Sequence, residues 1–272
     1  MRIGFIGAGK VGNTLGKYLS QSNEIVGYYS LSNKSAQEAA GFTESKAYDC
    51  PESLVDDCDT VFITVQDGMI ESVWHELLVC QEQRNWAEKN FCHCSGALSS
   101  SVFKEAEEFG AFAYSVHPLF AIPSKTETWK ELHKAFFAIE GSSEHLEEIV
   151  SLIANQGNEY QVIKTDEKVR YHAAAAMASN HVVGLYKLAC DELVKCGFTN
   201  EGAQKALVPL FLGNAEHIAH DGYIKALTGP AERGDTATIS KHLSVLEGDT
   251  KTVYETINKT LLEIAAIKHN EK

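Results

Sequence analysis

The feature that most constrains this chain is its beginning. Arg2-Ile3-Gly4-Phe5-Ile6, an apolar run of strand character, leads straight into Gly7-Ala8-Gly9-Lys10-Val11-Gly12. In a strand that turns through G-x-G-x-x-G into a helix, each glycine has its own task. Gly7 permits the tight turn, Gly9 lets backbone approach a pyrophosphate, and Gly12 lets helix pack closely on strand. Unpaired N–H groups at the helix start then face the phosphates. A glycine turn without a ligand is the competing reading, and the strand-turn-helix context argues against it. Gly7, Ala8, Gly9, Lys10, Val11 and Gly12 are therefore the first candidate site, for a dinucleotide.

Beyond this loop, short β-branched or aromatic runs alternate with helical segments, the pattern of a parallel sheet with crossover helices. Strands are expected at 2–6, 24–29, 60–65, 90–93, 112–116 and 136–140, and helices at 10–20, 35–40, 69–79 and 143–155, with a short apolar run at 160–163 closing the domain. From Asp166 the strand signals fade. Asp166 is the expected N-cap of a helix running to about Cys196, with Gly197 as its stop, and further helices are expected at 200–219, 236–246 and 251–268. The one turn-rich break is Leu227 to Asp235. The fold class is thus α/β: an N-terminal Rossmann doubly wound sheet over residues 1–164, followed by an all-α C-terminal domain over 165–272. Internal repeats and low-complexity segments are lacking.

A net charge of -13 argues against partners that are polyanions, so neither nucleic acid nor an anionic membrane surface is expected. The N-terminus enters the glycine motif with no room for a targeting leader, and no stretch reaches the ~18 apolar residues of a membrane span, so the expected location is cytoplasmic. Seven cysteines, an odd number at scattered positions, fit reduced thiols. In a strand, Cys92 and Cys94 share one side and His93 takes the other, and no CxxC partner is present, so no metal is expected.

An NAD site ordinarily carries Asp or Glu at the end of the second strand, bonded to the ribose 2′-hydroxyl. Here the segment is Tyr29-Ser30-Leu31-Ser32-Asn33-Lys34-Ser35. Ser30, Ser32 and Lys34 suit a 2′-phosphate, which favours NADP as cofactor; the competing reading is a polar loop with Ser32 or Asn33 capping a helix. Val65 and Gln66, at the end of the strand 60–65, are candidates to border the nicotinamide ribose. Asp67 beside them is equally an N-cap.

Taken in order, Gly7 to Gly12, Tyr29-Ser30-Leu31-Ser32, Val61 to Val65, His93-Cys94-Ser95-Gly96-Ala97, His117-Pro118-Leu119, Tyr171-His172-Ala173-Ala174-Ala175, Ala178-Ser179-Asn180 and Leu227-Thr228-Gly229-Pro230 through Arg233-Gly234-Asp235 resemble the Rossmann-like NADP oxidoreductases with an uncharacterised C-terminal domain. That family is similar in plan to pyrroline-5-carboxylate reductase and ketopantoate reductase. The resemblance spans nearly the whole chain. It implies NADP use and a helical C-terminal domain that dimerises, hence a homodimer, and it fixes no substrate.

Hydride transfer to a carbonyl or imine needs a proton donor at the heteroatom. At 100° per residue Lys168, His172 and Ser179 share a helical stripe about 40° wide, with Ala175 between them and Asn180 at its edge. The expectation is reduction of a small carbonyl or imine compound in an interdomain cleft. His172 would be the acid and Lys168 would polarise the heteroatom or hold the substrate, while His117, Ser95 and Asn180 orient substrate and nicotinamide. Each has a bland counterpart: a solvated lysine, a hydrogen-bonded core histidine at 93, a histidine facing water. Arg233 either clamps a substrate carboxylate or pairs with Asp235. Two rival functions stay open, an NADP(H)-binding redox sensor without turnover and an oxidoreductase using the deazaflavin F420.

Overall fold

The computed structural model describes residues 1–81 and 84–270. The chain divides into two compact units, Met1–Met177 and Ala178–Lys272. In the first, β1 (Arg2–Ile6), β2 (Glu24–Tyr29), β3 (Lys46–Ala47), β4 (Thr60–Ile63), β5 (Asn90–His93), β6 (Phe112–Leu119), β7 (Phe136–Gly141) and β8 (Tyr160–Val162) form one sheet in the order β3-β2-β1-β4-β5-β6-β7-β8. Neighbouring strands run parallel, apart from the antiparallel pair of β6 and β7. Strand order reverses beside β1, the place where open α/β sheets receive ligands at their carboxyl edge.

Both faces of the sheet are covered, by α1 (Lys10–Leu19), α2 (Asn33–Thr43), α3 (Pro51–Asp56), α4 (Asp67–Gln81) and α5 (Leu146–Ala154). Alternation along the strands sorts the core into two layers. Ile3, Phe5 and Phe62 pack with Leu15 and Leu19 on one side, and Ile6, Val61 and Ile63 with Trp74 and Leu77 on the other. This is the doubly wound arrangement expected. α6 (Lys168–Ala178) follows the sheet, and α7 (Asn180–Lys195), α8 (Asn200–Ala226), α9 (Thr236–Val245) and α10 (Gly248–Asn270) make up the second unit. None of the described helices is long and apolar enough to cross a membrane.

Three departures from the sequence expectations have local causes. β3 and α3 were not expected, because two and six residues are too few to show a period; Pro51 at the first turn of α3 was the available signal. The helix expected from Asp166 to Cys196 is two helices, preceded by a 3-10 turn at Thr165–Glu167 and broken at Ser179 (φ -121°, ψ -81°), where Ser-Asn favours a helix boundary over an interior. Ser179 therefore does not continue the Lys168–His172 stripe. α8 also runs further than expected, to Ala226, and bends at Gly222 (φ 75°).

Candidate functional site

The glycine loop has the geometry its sequence demands. Gly7 adopts φ 111°, a conformation side-chain-bearing residues rarely adopt, and a Cβ there would lie 2.9 Å from the Thr64 carbonyl. A Cβ on Gly12 would lie 2.3 Å from the Gly7 carbonyl oxygen and 2.5 Å from the Thr64 hydroxyl, so glycine is what lets α1 approach β1 and β4. Gly9 is different: its nearest obstacle would be 3.9 Å away. The space beside Gly9 is open, as backbone contact with a ligand requires. α1 begins at Lys10 with no side-chain cap. Its first N–H groups are thus left to an anion.

Two side chains that the sequence reading passed over hold this loop. Asn13, buried, donates from Nδ2 to the carbonyls of Ala8 (2.9 Å) and Gly9 (2.8 Å). Thr64 donates its hydroxyl to the Gly7 carbonyl at 2.8 Å. A buried polar residue in the first turns of α1 was the legible sign of the former. Val65 is half-buried and Gln66 exposed at the end of β4, next to Gly7.

At the end of β2, Ser30 is half-buried and Lys34 is exposed and 3.9 Å from Glu38. Ser32 is the N-cap of α2, its hydroxyl accepting from the Ser35 N–H at 3.3 Å. Asn33 donates to Asp49 at 3.2 Å, and Leu31 projects into solvent.

The ends of β5 and β6 carry a second cluster. Ser95 donates its hydroxyl to Asp67 at 2.6 Å and accepts from the Ala97 and Leu98 N–H groups, so it ties the loop after β5 to the start of α4. Asp67 thereby serves as an acceptor for Ser95. His93 is fully buried, takes the Ser95 N–H on Nδ1 (3.1 Å) and gives Nε2–H to the Ser99 carbonyl (3.1 Å). Burial holds its pKa down to about 4. It is a structural histidine.

Lys168, at the start of α6, is 1% exposed rather than solvated. Its ammonium donates to Ser115 Oγ at 2.6 Å, and Ser115 donates onward to the Ser95 carbonyl. Burial brings its pKa down to about 8, against the opposing influence of Glu140, Cys94 and Asp67. Glu140 is itself fully buried, accepting from the Ser100 N–H and hydroxyl and from the Thr165 hydroxyl at 2.9 Å, which pins the turn before α6 to β7. A lone carboxylate in the apolar run Phe136–Gly141 was its sequence signal.

His117, two residues beyond Ser115 on β6, meets Tyr171 of α6: the Tyr171 hydroxyl is 2.7 Å from Nδ1. Burial first, and then the Lys168 charge, pull the His117 pKa down to about 4. His172 sits beside it, the two rings 6.2 Å apart and nearly perpendicular. Gly96 is the floor: a Cβ there would lie 2.4 Å from His172 Nδ1 and 2.9 Å from His117 Nε2. His172 Nδ1 is buried and has no hydrogen-bond partner. A buried polar atom without a partner is costly, and one at a sheet's ligand edge points to a group that a ligand completes. Asn180 opens α7 in the second unit and is exposed. Also there, Asp235 caps α9 through Thr238, a bond that with the nearby charge of the exposed Arg233 holds its carboxyl below the usual range. Among the described residues, no group of three or more His, Cys, Asp or Glu is arranged to hold a metal.

Residues 2–89 match the model of the coenzyme F420-dependent NADP oxidoreductases, and residues 135–261 match a conserved domain of unknown function, DUF2520. No protein of curated function matches the chain. Among solved structures, a protein of Thermotoga maritima is 26% identical, with a TM-score of 0.78 over 98% of this chain and 99% of that one. A candidate NADP oxidoreductase of Bacteroides fragilis is 23% identical (TM-score 0.72, 97% of this chain and 98% of that one). The pyrroline carboxylate reductase of Plasmodium falciparum with NADP bound is 14% identical and shares the fold (TM-score 0.57, 97% and 98%). The glycine loop lies on the first matched segment and β7 through most of α10 on the second, so the chain joins an N-terminal segment similar to the NADP oxidoreductases to this C-terminal domain.

Proposed function

We propose that the protein is an NADP(H)-dependent reductase of a small carbonyl or imine compound, with its chemistry at Gly96 between His117 and His172. The observation that carries this reading is the buried, unpartnered Nδ1 of His172 on α6, held against Gly96, which lies three residues past the end of β5 on the same sheet edge as the glycine loop. β1 and β5 are separated only by β4, which puts their ends about 10 Å apart at the usual strand spacing.

The three glycines fit a dinucleotide, each for its own reason, and Lys10, Val11 and Gly12 would offer N–H groups to its pyrophosphate. Ser30, Ser32 and Lys34 would receive the 2′-phosphate, and Val65 and Gln66 would border the ribose. The nicotinamide supplies hydride when bound. His172 donates the proton from Nδ1 to the substrate's heteroatom, and His117 holds that heteroatom in place. Lys168, buried against Ser115, acts through its charge on His117. Ser95 positions the loop and Asp67.

Titration of the purified protein with NADPH, NADH and F420, followed by a screen of keto acids and cyclic imines for cofactor oxidation, tests this. Tight NADPH binding with turnover of one class supports it. Binding of NADPH without any turnover favours a redox sensor, and preference for F420 favours the deazaflavin chemistry in the matched family's description. No binding at all refutes it.

A homodimer through the second unit belongs to the same proposal. Val183, Leu210, Leu212 and Ile218 stand more than half or half exposed on α7 and α8, more apolar surface than a helical unit leaves to water. Light scattering at micromolar concentration should give twice the chain mass; a monomer ends this part.

A further inference from the structure

We propose that Tyr171 fixes His117 as its Nε2–H tautomer, turning that N–H into a donor for the substrate's reacting heteroatom above Gly96. This positioning role rests on the reductase reading, and it concerns an atom that can be observed without substrate or cofactor.

The argument begins with which partner donates. Burial pushes the Tyr171 pKa up to about 12, so its hydroxyl carries a proton at any working pH. His117, with a pKa near 4, is a neutral ring at pH 7, with one nitrogen protonated and the other bare. The 2.7 Å contact between the Tyr171 hydroxyl and Nδ1 admits two arrangements. If the phenol donates, Nδ1 is bare and the ring proton lies on Nε2. If instead Nδ1–H donated to the phenol oxygen, the phenol's own proton would have no protein acceptor among the described residues. Each arrangement leaves one proton to solvent, but a phenol is the better donor of the pair and a bare imidazole nitrogen the better acceptor, which favours the first.

Nε2 is the nitrogen on the Gly96 side, 2.9 Å from where a Cβ at that position would stand. His172 Nδ1 lies 2.4 Å from the same point. A heteroatom above Gly96 therefore meets a fixed donor from one ring and the proton-transferring atom of the other. With the opposite tautomer it would meet a lone pair from His117, which repels a developing oxyanion or a lone pair on nitrogen. Tyr171 touches no substrate in this scheme. It acts through His117, as partners beyond the contact shell fix the tautomer of histidines elsewhere.

The test is a long-range ¹H–¹⁵N correlation spectrum of the full-length, unliganded protein at pH 7, with His117 assigned by the loss of its signals in His117→Gln. The expected result is the Nε2–H pattern in the wild type. Tyr171→Phe keeps the ring whose centroid is 5.5 Å from the Lys168 ammonium and removes only the hydroxyl; it should give a mixture of both tautomers. An Nδ1–H pattern in the wild type overturns the proposal whether or not the variant folds, and an unchanged pattern in a folded Tyr171→Phe overturns it as well. With any substrate that turns over, the same variant should lower kcat about tenfold, the size of one lost hydrogen bond, with the NADPH dissociation constant unchanged. Failure of the reductase reading would show in the NADPH titration and leave the spectrum as expected, so the two failures are distinct.

Discussion

At the end of β1 the groups offered to a ligand are backbone N–H, and glycine stands wherever a side chain would be in the way. At the ends of β5 and β6 the offered groups are imidazoles, and the backbone at Gly96 is only their floor. Gly7 and Gly12 tolerate no added atom, since a Cβ at either would meet other backbone or side-chain atoms at under 3 Å, and only Gly9 leaves room. The first region's ligand contacts depend little on side-chain identity. The second region depends wholly on it, through one strand residue, one loop residue and two neighbours on a helix. Binding should therefore fail at the loop and turnover at the cluster.

The largest effect expected is at the cluster. His172→Ala should lower turnover by about 10²–10⁴-fold while leaving the NADPH dissociation constant within about a factor of two. Stopped-flow hydride transfer beside a fluorescence titration measures both. Equal losses in the two would erase the distinction between regions and move His172 into the nucleotide site.

A second effect separates them by pH. His93 is held near pKa 4 when folded against about 6.5 when unfolded, so between these values the unfolded chain binds more protons. Stability is then retained above pH 6.5 and falls as pH drops towards 4, by about 3 kcal/mol for this residue, and His117 adds in the same direction. Urea midpoints from pH 7 to 4 should show the loss, and His93→Gln should flatten it. The glycine loop itself carries no histidine or carboxylate between Gly7 and Gly12, so loop variants should leave the slope as it is.

The same contrast explains what the sequence made legible. Gly7, Gly9 and Gly12 are neighbours in the chain, and the turn at Gly7 and the close packing at Gly12 are local, so spacing alone pointed to both, while the pyrophosphate contact at Gly9 is a proposal. The doubly wound sheet was likewise readable from strands such as Arg2–Ile6 whose runs are continuous. The cluster is assembled from residues 76 positions apart at its extremes, Gly96 and His172, and no local pattern encodes that Lys168 is buried on Ser115 or that Tyr171 meets His117. Helical phase placed Lys168 and His172 on one stripe correctly, but it extended the stripe to Ser179, where the backbone leaves the helix. Glu140 and Asp67 escaped because a carboxylate in sequence looks alike whether it caps a helix, faces water or anchors a buried network.

Within the loop the glycines should divide by what their missing side chains leave. Gly12→Ala forces a Cβ against the Gly7 carbonyl and the Thr64 hydroxyl and should cost about 1–3 kcal/mol of stability together with NADPH affinity. Gly9→Ala has room and should keep its melting temperature while losing affinity. If Gly9→Ala binds NADPH as the wild type does, the backbone at Gly9 is not the pyrophosphate's seat.

The smallest effects lie at the end of β2, where cap and phosphate site compete for the same residues. Ser32→Ala removes the acceptor of the Ser35 N–H at the start of α2, for about 1 kcal/mol of stability. Its hydroxyl accepts in that cap and still has its proton to give a phosphate, so the preference for NADPH over NADH should fall, by less than on loss of the Lys34 charge. Lys34 is exposed and only loosely paired with Glu38, so Lys34→Ala should hardly alter stability. A charge-assisted bond to a phosphate is worth more than that pair, and its loss should weaken NADPH about tenfold without affecting NADH. Parallel titrations of both cofactors against both variants decide between the two functions. If Lys34→Ala weakens NADPH and NADH alike, or neither, the segment after β2 is a helix start and the 2′-phosphate is read somewhere else.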